Sequence, residues 1–181
     1  SSKAGALGRF AFSGKRVPLF YTPHGYSFLM QNSSEAKRKI YKGIEIICGK
    51  RNCTTISCSE GEHFESLKLN KQAIYVNNGI NMAQLQKLDE VGNSEPHPFT
   101  VFTLGRICYQ KNPAQFNAIA LAMPNIRFLW IGDGELRSTL TAPNITITGW
   151  AERKDALKYS ASGDVFVLTS LWEGLPISLL E

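Results

Sequence analysis

The sequence contains no run of eighteen apolar residues, so we predict no membrane-spanning helix. Its four cysteines lack the C-x-x-C spacing of zinc and redox sites, and unpatterned thiols favour a reducing cytoplasm. No stripe of basic residues alternates with aromatic ones, which argues against a nucleic-acid interface. Internal repeats, low-complexity tracts and a recognisable secretory signal are also absent from the sequence. These absences leave an ordinary globular composition that can bury one or two modest cores.

Basic residues are concentrated in the first half of the chain. Residues 1–97 contain thirteen Lys and Arg against eight Asp and Glu, whereas residues 98–181 contain seven of each. Many of the cations lie on or beside one predicted helix, at Lys37, Arg38, Lys39, Lys42, Lys50 and Arg51. This helix could make a peripheral membrane contact through anionic lipid headgroups, or bind an acidic acceptor. A solvated helix face would explain the same charges.

Strand-like and helix-like segments alternate along the chain, which predicts a parallel α/β fold. In the first half, the predicted helices cover 2–12 and 34–51, and the predicted strands cover 18–22, 54–58 and 73–76. In the second half, the predicted strands lie near 99–104, 126–131, 144–147 and 164–169.

Two local signals refine this outline. Ser59 and Glu62 have the spacing of a capping box for the helix that follows the second strand. The segment 89–98 is rich in Gly, Asn, Ser and Pro, so it is the best candidate for a linker. We therefore expect one domain over 1–97 and a second over 98–181.

Two glutamates, Glu173 and Glu181, stand eight positions apart at the end of the chain. The apolar segment 164–170 before them predicts a parallel strand that is buried on both faces. Ligands of open parallel sheets bind at the carboxyl ends of the strands, where Glu173 would lie. Pro176 suits the first turn of a helix over 175–181, and Gly174 allows a sharp bend and the close approach of a ligand.

The turn between the two glutamates would direct free backbone N–H groups at an anion. At ~1.5 Å per residue, a helix from Leu175 to Glu181 would rise roughly 9 Å. Such a layout suits a ligand with hydroxyls at both ends and a phosphate in the middle, as in a nucleotide sugar. The alternative is a surface loop followed by an ordinary amphipathic helix.

A second candidate for phosphate binding follows the predicted strand at 99–104. Arg106 and Lys111 both fall in the loop after this strand, where a guanidinium fork and an ammonium could converge on one anion. Asn112 and Pro113 have the residue types of a helix N-cap and first helical position. Two solvated surface cations are the alternative interpretation.

These motifs together carry a family resemblance. Gly105-Arg106, Lys111-Asn112-Pro113, Ile131-Gly132-Asp133-Gly134, Gly149-Trp150 and the closing Glu-Gly-Leu-Pro with its second Glu occur in this order. The chain resembles the retaining glycosyltransferases of family 4, the group 1 glycosyltransferases with the GT-B architecture. The first half agrees through Ser2 to Arg9, Pro23-His24-Gly25, Ser59-Glu60 and Asn77-Asn78-Gly79-Ile80.

The resemblance implies two Rossmann-like parallel α/β domains that face a cleft, an acceptor-side domain at 1–97 and a donor-binding domain at 98–181. Both domains would be incomplete, because the family's first strand is expected before Ser1 and its final helices after Glu181. The implied reaction moves a sugar from a nucleotide-diphosphate-sugar donor to a saccharide or lipid-linked acceptor with retention. Its implied setting is surface polysaccharide biosynthesis in the cytoplasm or on the inner face of the membrane.

The resemblance also assigns roles to residues. It implies that Arg106 and Lys111 neutralise the diphosphate, that Glu173 and His24 contact the transferred sugar, and that Glu181 contacts the ribose. The other implied donor-binding residues are Gly105, Gly149, Trp150, Gly174, Leu175, Pro176 and Ile177. No metal ion and no other cofactor is expected, because electrostatic stabilisation of the leaving group suffices and the sequence has no Asp-x-Asp motif.

Two other functions stay open at this point. One is a sugar-nucleotide epimerase or hydrolase on the same architecture, which would turn over the donor without an acceptor. The other is a fragment that binds the donor without catalysis. His63 and His97 are expected to be structural, on a helix face and in the linker.

Overall fold

A computed structural model describes residues 2–12, 14, 17–83, 85 and 97–181. The chain forms two compact units, and each unit includes a short piece of the chain's end. The first unit contains Ser1–Gly79 with Trp172–Pro176, and the second contains Ile80–Leu171 with Ile177–Glu181. Most of the expected linker at 89–98 lies outside the described residues, so the boundary between 97 and 98 stays a prediction.

The first unit has parallel strands and helices in alternation. Its described elements are α1 (Ser2–Ala11), β1 (Phe20–Tyr21), α2 (Glu35–Gly49), β2 (Thr54–Ser57), α3 (Glu60–Leu69) and β3 (Ile74–Tyr75). The described strands lie in the order β1-β2-β3, with Phe20 opposite Thr54 and Ile56 opposite Ile74. A 3₁₀ helix at Ser27–Leu29 stands between β1 and α2.

The second unit repeats the alternation around a larger sheet. Its described elements are β4 (Thr100–Leu104), α4 (Pro113–Ala122), β5 (Arg127–Ile131), β6 (Ile145–Ile147), α5 (Arg153–Ala161), β7 (Val165–Phe166) and α6 (Ile177–Leu180). The described strands are all parallel and lie in the order β6-β5-β4-β7. The predicted parallel α/β class is therefore confirmed.

Side-chain caps explain where three helices begin. The Oγ of Ser34 accepts from the Lys37 N–H at α2, and the Oγ of Ser59 accepts from the Glu62 N–H at α3. Asn112 caps α4 ahead of Pro113, as the sequence predicts. Each cap satisfies an N–H group that has no partner within the helix.

Aromatic side chains form the centre of the second unit. The rings of Phe116 and Trp130 meet edge to face with centroids 5.0 Å apart, and those of Phe116 and Phe128 do so at 5.5 Å. All three side chains are buried. Edge-to-face pairs add about 0.5–1.5 kcal/mol each beyond the gain from burial, so this cluster holds α4 firmly on the sheet.

A buried ion pair joins the elements of the first unit. The Nη2 atom of Arg9 lies 2.7 Å from Oε2 of Glu45, and both side chains are 3% exposed. The hydroxyl of Tyr21 donates to Oε1 of Glu45 at 3.1 Å, and the Arg9 guanidinium lies 4.0 Å from the centre of the Tyr21 ring. These contacts tie α1, β1 and α2 together, and loss of one partner would leave a buried charge uncompensated.

The prediction that the strand after residue 164 is buried on both faces is wrong. This strand, β7, covers only Val165–Phe166 and pairs with β4 at one end of the described strand order. Val165 is 42% exposed and Phe166 is only partly buried, so neither face of β7 is fully covered. The strand buried on both faces is instead β5, whose last four residues are all buried.

The helix that ends the chain also differs from expectation. It was predicted over 175–181, but α6 begins at Ile177 and ends at Leu180, so Pro176 precedes it rather than opening its first turn. The Glu181 N–H donates to the Ile177 carbonyl, which places Glu181 at the end of a single turn. Within the described residues, no helix combines the length and the apolar character that crossing a membrane requires.

Candidate active site

The turn that contains His24 directly follows β1 and is held by a carboxylate from α3. His24 is exposed and has φ 50°, and Gly25 has φ 92°. The left-handed region is uncommon for residues other than glycine, so the turn needs support from its surroundings. The Gly25 N–H donates to Oε1 of Glu62 at 2.6 Å, and the buried Glu62 supplies that support.

The hydrogen bonds of Glu62 differ from those of the predicted capping box. Ser59 accepts from the Glu62 N–H at 3.2 Å as expected, but the Glu62 side chain does not return the bond to Ser59. Its Oε2 accepts instead from the Cys58 N–H at 2.9 Å. The Glu62 carboxylate therefore accepts from backbone N–H groups of two separate segments. The part of the prediction in which the Glu62 side chain bonds back to the Ser59 N–H is wrong.

The Glu173-Gly174-Leu175-Pro176 turn lies in the same unit and packs on this carboxylate. A β-carbon built on Gly174 would lie 2.9 Å from Sγ of Cys58 and 3.7 Å from both Oε1 of Glu62 and the nitrogen of Gly25. The amide of Asn78 donates to the Leu175 carbonyl at 2.6 Å. The structure thus brings the turn of His24 and the turn that carries Glu173 together.

In the second unit, Lys111 and Arg106 follow β4 but have different surroundings. A β-carbon built on Gly105 would lie 3.0 Å from Cε of Lys111 and 3.5 Å from its Nζ, so the lysine side chain lies along the loop backbone. The guanidinium of Arg106 is 73% exposed, and its Nη2 lies 2.9 Å from Oε2 of Glu135. The pKa of Glu135 is lowered by its own backbone N–H and by Arg106.

Backbone contacts join the loops that follow β4 and β5. Gly132 has φ 138°, and a β-carbon there would collide with the Gly105 carbonyl oxygen. That oxygen also accepts from the indole N–H of Trp130 at 2.8 Å. Because no side chain separates the two loops, their backbones lie in direct contact.

These two loops border a cavity at the carboxyl ends of β4 and β5. The cavity has a volume of about 550 Å³ and is lined by Gly105, Arg106, Asp133 and Trp150, among others. Trp150 is 79% exposed, and the neighbouring Gly149 forms an isolated bridge with Gly132. Gly105, Arg106 and Trp150, which the sequence predicts as donor-binding, therefore line one cavity, and the predicted Gly149 directly precedes Trp150.

Glu181 has a protein partner in the second unit. Its Oε1 accepts from Nε and Nη2 of Arg153 at 2.9 and 2.7 Å, and the Glu181 side chain is 7% exposed. Ile177 opens the same helical turn. A ligand hydroxyl that reached Glu181 would have to share the carboxylate with Arg153.

Burial determines the state of the thiol beside the Gly174 turn. Desolvation raises the pKa of Cys58, and its hydrogen bond with Glu62 raises it further. A thiol with a raised pKa stays protonated near neutral pH and is a poor nucleophile. Cys58 is therefore a packing residue of this region rather than a covalent catalyst.

Comparison with known proteins agrees with this geometry. Residues 98–181 match the family described as "Glycosyl transferases group 1". The Escherichia coli protein named "UDP-Gal:alpha-D-GlcNAc-diphosphoundecaprenol alpha-1,3-galactosyltransferase" is 30% identical over 213 aligned residues, covering 100% of this chain and 53% of the relative. The solved sucrose-phosphate synthase of Thermosynechococcus elongatus has a TM-score of 0.76 and 18% identity, covering 97% of this chain and 50% of that one. Residues 98–181 therefore belong to the group 1 glycosyltransferases, and the chain has the GT-B fold.

Other relatives of this GT-B chain extend the same likeness. A 41.2 kDa protein of the cps region of Klebsiella pneumoniae is 27% identical, with 100% of this chain and 55% of the relative covered. HepE of Anabaena, solved with UDP and glucose, has a TM-score of 0.67 and 17% identity, covering 96% of this chain and 52% of its own. The GT-B chain thus spans about half the length of the curated relatives it matches.

The sequence analysis did not predict every contact of this candidate site. Glu62 was interpreted as a helix cap, and its bond to Gly25 joins residues 37 positions apart. Glu135 and Arg153 carried no signal, since their partners Arg106 and Glu181 are 29 and 28 positions away. Asn78 belonged to a recognised segment, but nothing in the sequence indicated its contact with Leu175.

Proposed function

We propose that the protein containing this chain is a retaining glycosyltransferase of family 4 that moves a sugar from a nucleotide-diphosphate-sugar donor to a lipid-linked saccharide acceptor. The observation that carries the proposal is the cavity bordered by Gly105, Arg106 and Trp150, at the strand ends where open α/β sheets bind ligands. The name of the E. coli relative, which includes a UDP-galactose donor and a diphosphoundecaprenol acceptor, supports these substrate classes. The Klebsiella relative from a cps region supports a role in surface polysaccharide biosynthesis.

The chemistry follows from charge that develops on the leaving group. As the bond between sugar and diphosphate breaks, Arg106 and Lys111 neutralise the diphosphate, and backbone N–H groups near Leu175 and Pro176 assist them. This electrostatic stabilisation requires neither a metal ion nor a protein nucleophile. Glu173 and His24 hold the transferred sugar, and Glu181 binds the ribose in competition with Arg153. The diphosphate oxygen helps to deprotonate the acceptor on the same face, which gives retention.

A panel of nucleotide sugars tests the proposal. A ligand that binds only the folded protein raises its unfolding free energy by about 2.7 kcal/mol at a hundred times its dissociation constant. We expect thermal stabilisation by UDP-sugars or another nucleotide-sugar class, and none by the free sugars. The absence of stabilisation by every nucleoside diphosphate and nucleotide sugar would contradict the proposal. Consumption of the donor without an acceptor would indicate a hydrolase or epimerase instead.

A lipid-linked acceptor implies that the enzyme acts at the cytoplasmic face of a membrane. The first half of the chain would then contact the membrane surface peripherally. The excess of basic residues in 1–97 supports this contact, because anionic headgroups attract Lys and Arg near the surface. Exposed apolar residues on the same helices, such as Leu7, Ile40 and Ile47, add to it.

A further inference from the structure

The Glu62 carboxylate joins two backbone segments of the first unit. Its Oε1 accepts from the Gly25 N–H at 2.6 Å, and its Oε2 accepts from the Cys58 N–H at 2.9 Å. The Glu62 residue is 6% exposed. A carboxylate this buried is tolerated because both of its oxygens are hydrogen-bonded.

The bond to Gly25 controls the direction of the His24 side chain. His24 has φ 50°, so its Cα–Cβ bond points differently from that of a residue in extended backbone. The N–H of Gly25 belongs to the peptide group that immediately follows His24. When Glu62 holds this N–H, it fixes the orientation of that peptide and, with it, the position from which the imidazole projects.

The same carboxylate faces the second turn of the site. Gly174 packs so closely on Cys58 and Glu62 that a β-carbon there would lie 2.9 Å from the Cys58 Sγ, a distance that real side chains do not adopt. Glu173 directly precedes this glycine. One buried side chain therefore lies between the turn of His24 and the turn of Glu173.

We propose that Glu62 is a positioning residue of the glycosyltransferase, which acts by holding the His24–Gly25 turn against the Glu173–Gly174 turn. The inference rests on the proposed function, because only that function assigns His24 and Glu173 to the donor sugar. Glu62 itself does not touch the substrate. It supplies two acceptor oxygens at fixed positions, so that the imidazole and the Glu173 carboxylate meet the sugar in one geometry.

The test is the substitution Glu62→Gln in the full-length enzyme, assayed with UDP-galactose and UDP-glucose as donors. The amide has nearly the same volume, but it can offer an acceptor oxygen to only one of the two N–H groups. We expect kcat to fall about tenfold to a hundredfold with little change in donor KM, since small misplacements of reacting groups cost this much. The matched control is Glu60→Gln, an exposed glutamate on the same helical turn, which should leave kcat unchanged.

A double substitution separates positioning from a purely structural role. Because Glu62 acts partly through His24, Glu62→Gln should cause a smaller loss of kcat in a His24→Ala background than in the original enzyme. Independent losses that multiply would overturn the inference. Unchanged turnover in His24→Ala alone would also overturn it, while Arg106→Ala and Lys111→Ala test the proposed function separately.

A nuclear magnetic resonance measurement supplies a readout other than activity. In ¹⁵N-labelled protein, the Gly25 amide proton should be shifted downfield by its charge-assisted bond and should move upfield in Glu62→Gln. An unchanged Gly25 resonance would overturn the inference. If Glu62→Gln does not fold, Glu62→Asp keeps the charge but is one methylene shorter, so it should fold with a lowered kcat and a shifted Gly25 resonance.

Discussion

Arg106 and Lys111 differ in how tightly the protein holds them. The Arg106 guanidinium is exposed and paired with Glu135, so a ligand phosphate would have to displace a surface ion pair. Such exposed pairs contribute only about 0–1 kcal/mol, and the displacement is therefore easy. The Lys111 side chain lies along the Gly105 backbone, so it loses less conformational freedom when it binds a phosphate.

Removal of either cation should weaken the binding of a nucleoside diphosphate. We expect Arg106→Ala and Lys111→Ala each to lower UDP affinity by about 1.5–3 kcal/mol, because each loses a charge-assisted hydrogen bond to phosphate. Isothermal titration calorimetry measures the change directly. Glu135→Gln serves as the control and should bind UDP as well as the original protein or better, since it frees Arg106. Unchanged affinity in both cation variants would refute the assignment.

The candidate site is formed by the loops and turns that follow the strands. The loops after β4 and β5 pack backbone to backbone, which depends on the absence of a side chain at Gly132. In the first unit, the turn after β1 is anchored by α3 through Glu62. Each turn is therefore held by a neighbouring element of its own unit rather than by its own residues.

Gly132→Ala should destabilise the second unit. The added methyl group would collide with the Gly105 carbonyl oxygen, and φ 138° is unfavourable for alanine. We expect the free energy of unfolding to fall by more than about 1 kcal/mol. Chemical denaturation followed by circular dichroism gives the value.

The matched control for this prediction is Gly43→Ala, within α2. A β-carbon at Gly43 meets no atom within 4 Å. Alanine is better than glycine inside a helix by roughly 0.5–1 kcal/mol, so this variant should be slightly stabilised. Equal effects of the two substitutions would show that the contact between the two loops does not matter for stability.

At the scale of the whole molecule, the excess positive charge coincides with exposed apolar side chains. Ile40 and Ile47 of α2 are 61% and 54% exposed, and Leu7 of α1 is 72% exposed. The positions of Ile40, Ile44 and Ile47 are four and three residues apart, so they share one side of the helix. Lys37 and Arg51 lie before and after this stripe in the sequence. Such a combination favours contact with an anionic bilayer.

The chain should therefore bind vesicles that contain phosphatidylglycerol and not vesicles of phosphatidylcholine alone. Binding should weaken when the ionic strength rises from about 0.1 M to about 1 M, because the screening length falls from about 10 Å to about 3 Å. Vesicle sedimentation measures the bound fraction. Ile40→Asn combined with Ile47→Asn should reduce it, whereas Leu121→Asn, an exposed position of α4, should not. Equal binding to both kinds of vesicle, or an equal effect of both variants, would contradict this contact.

The sequence by itself determined the α/β class, the strand and helix order, the N-caps at Ser59 and Asn112, and the motifs that mark the family. These features depend on residue spacing of two to four positions, which the periodicity of strands and helices makes visible. The roles of His24, Arg106, Lys111 and the two glutamates were predicted from the same motifs and stay predictions. Cavity and turn geometry add support to them without testing them.

Only the tertiary structure decided which distant residues meet. The ion pair of Arg9 and Glu45, the bond from Gly25 to Glu62 and the pair of Arg153 and Glu181 join residues 36, 37 and 28 positions apart. The tertiary structure also decided that β7 is short and that its side chains are partly exposed, although its sequence is as apolar as that of a central strand. The physical reason is that burial and hydrogen bonding depend on which segments become neighbours in space. No local pattern records that choice, so the residue types can be recognised in the sequence while their partners cannot.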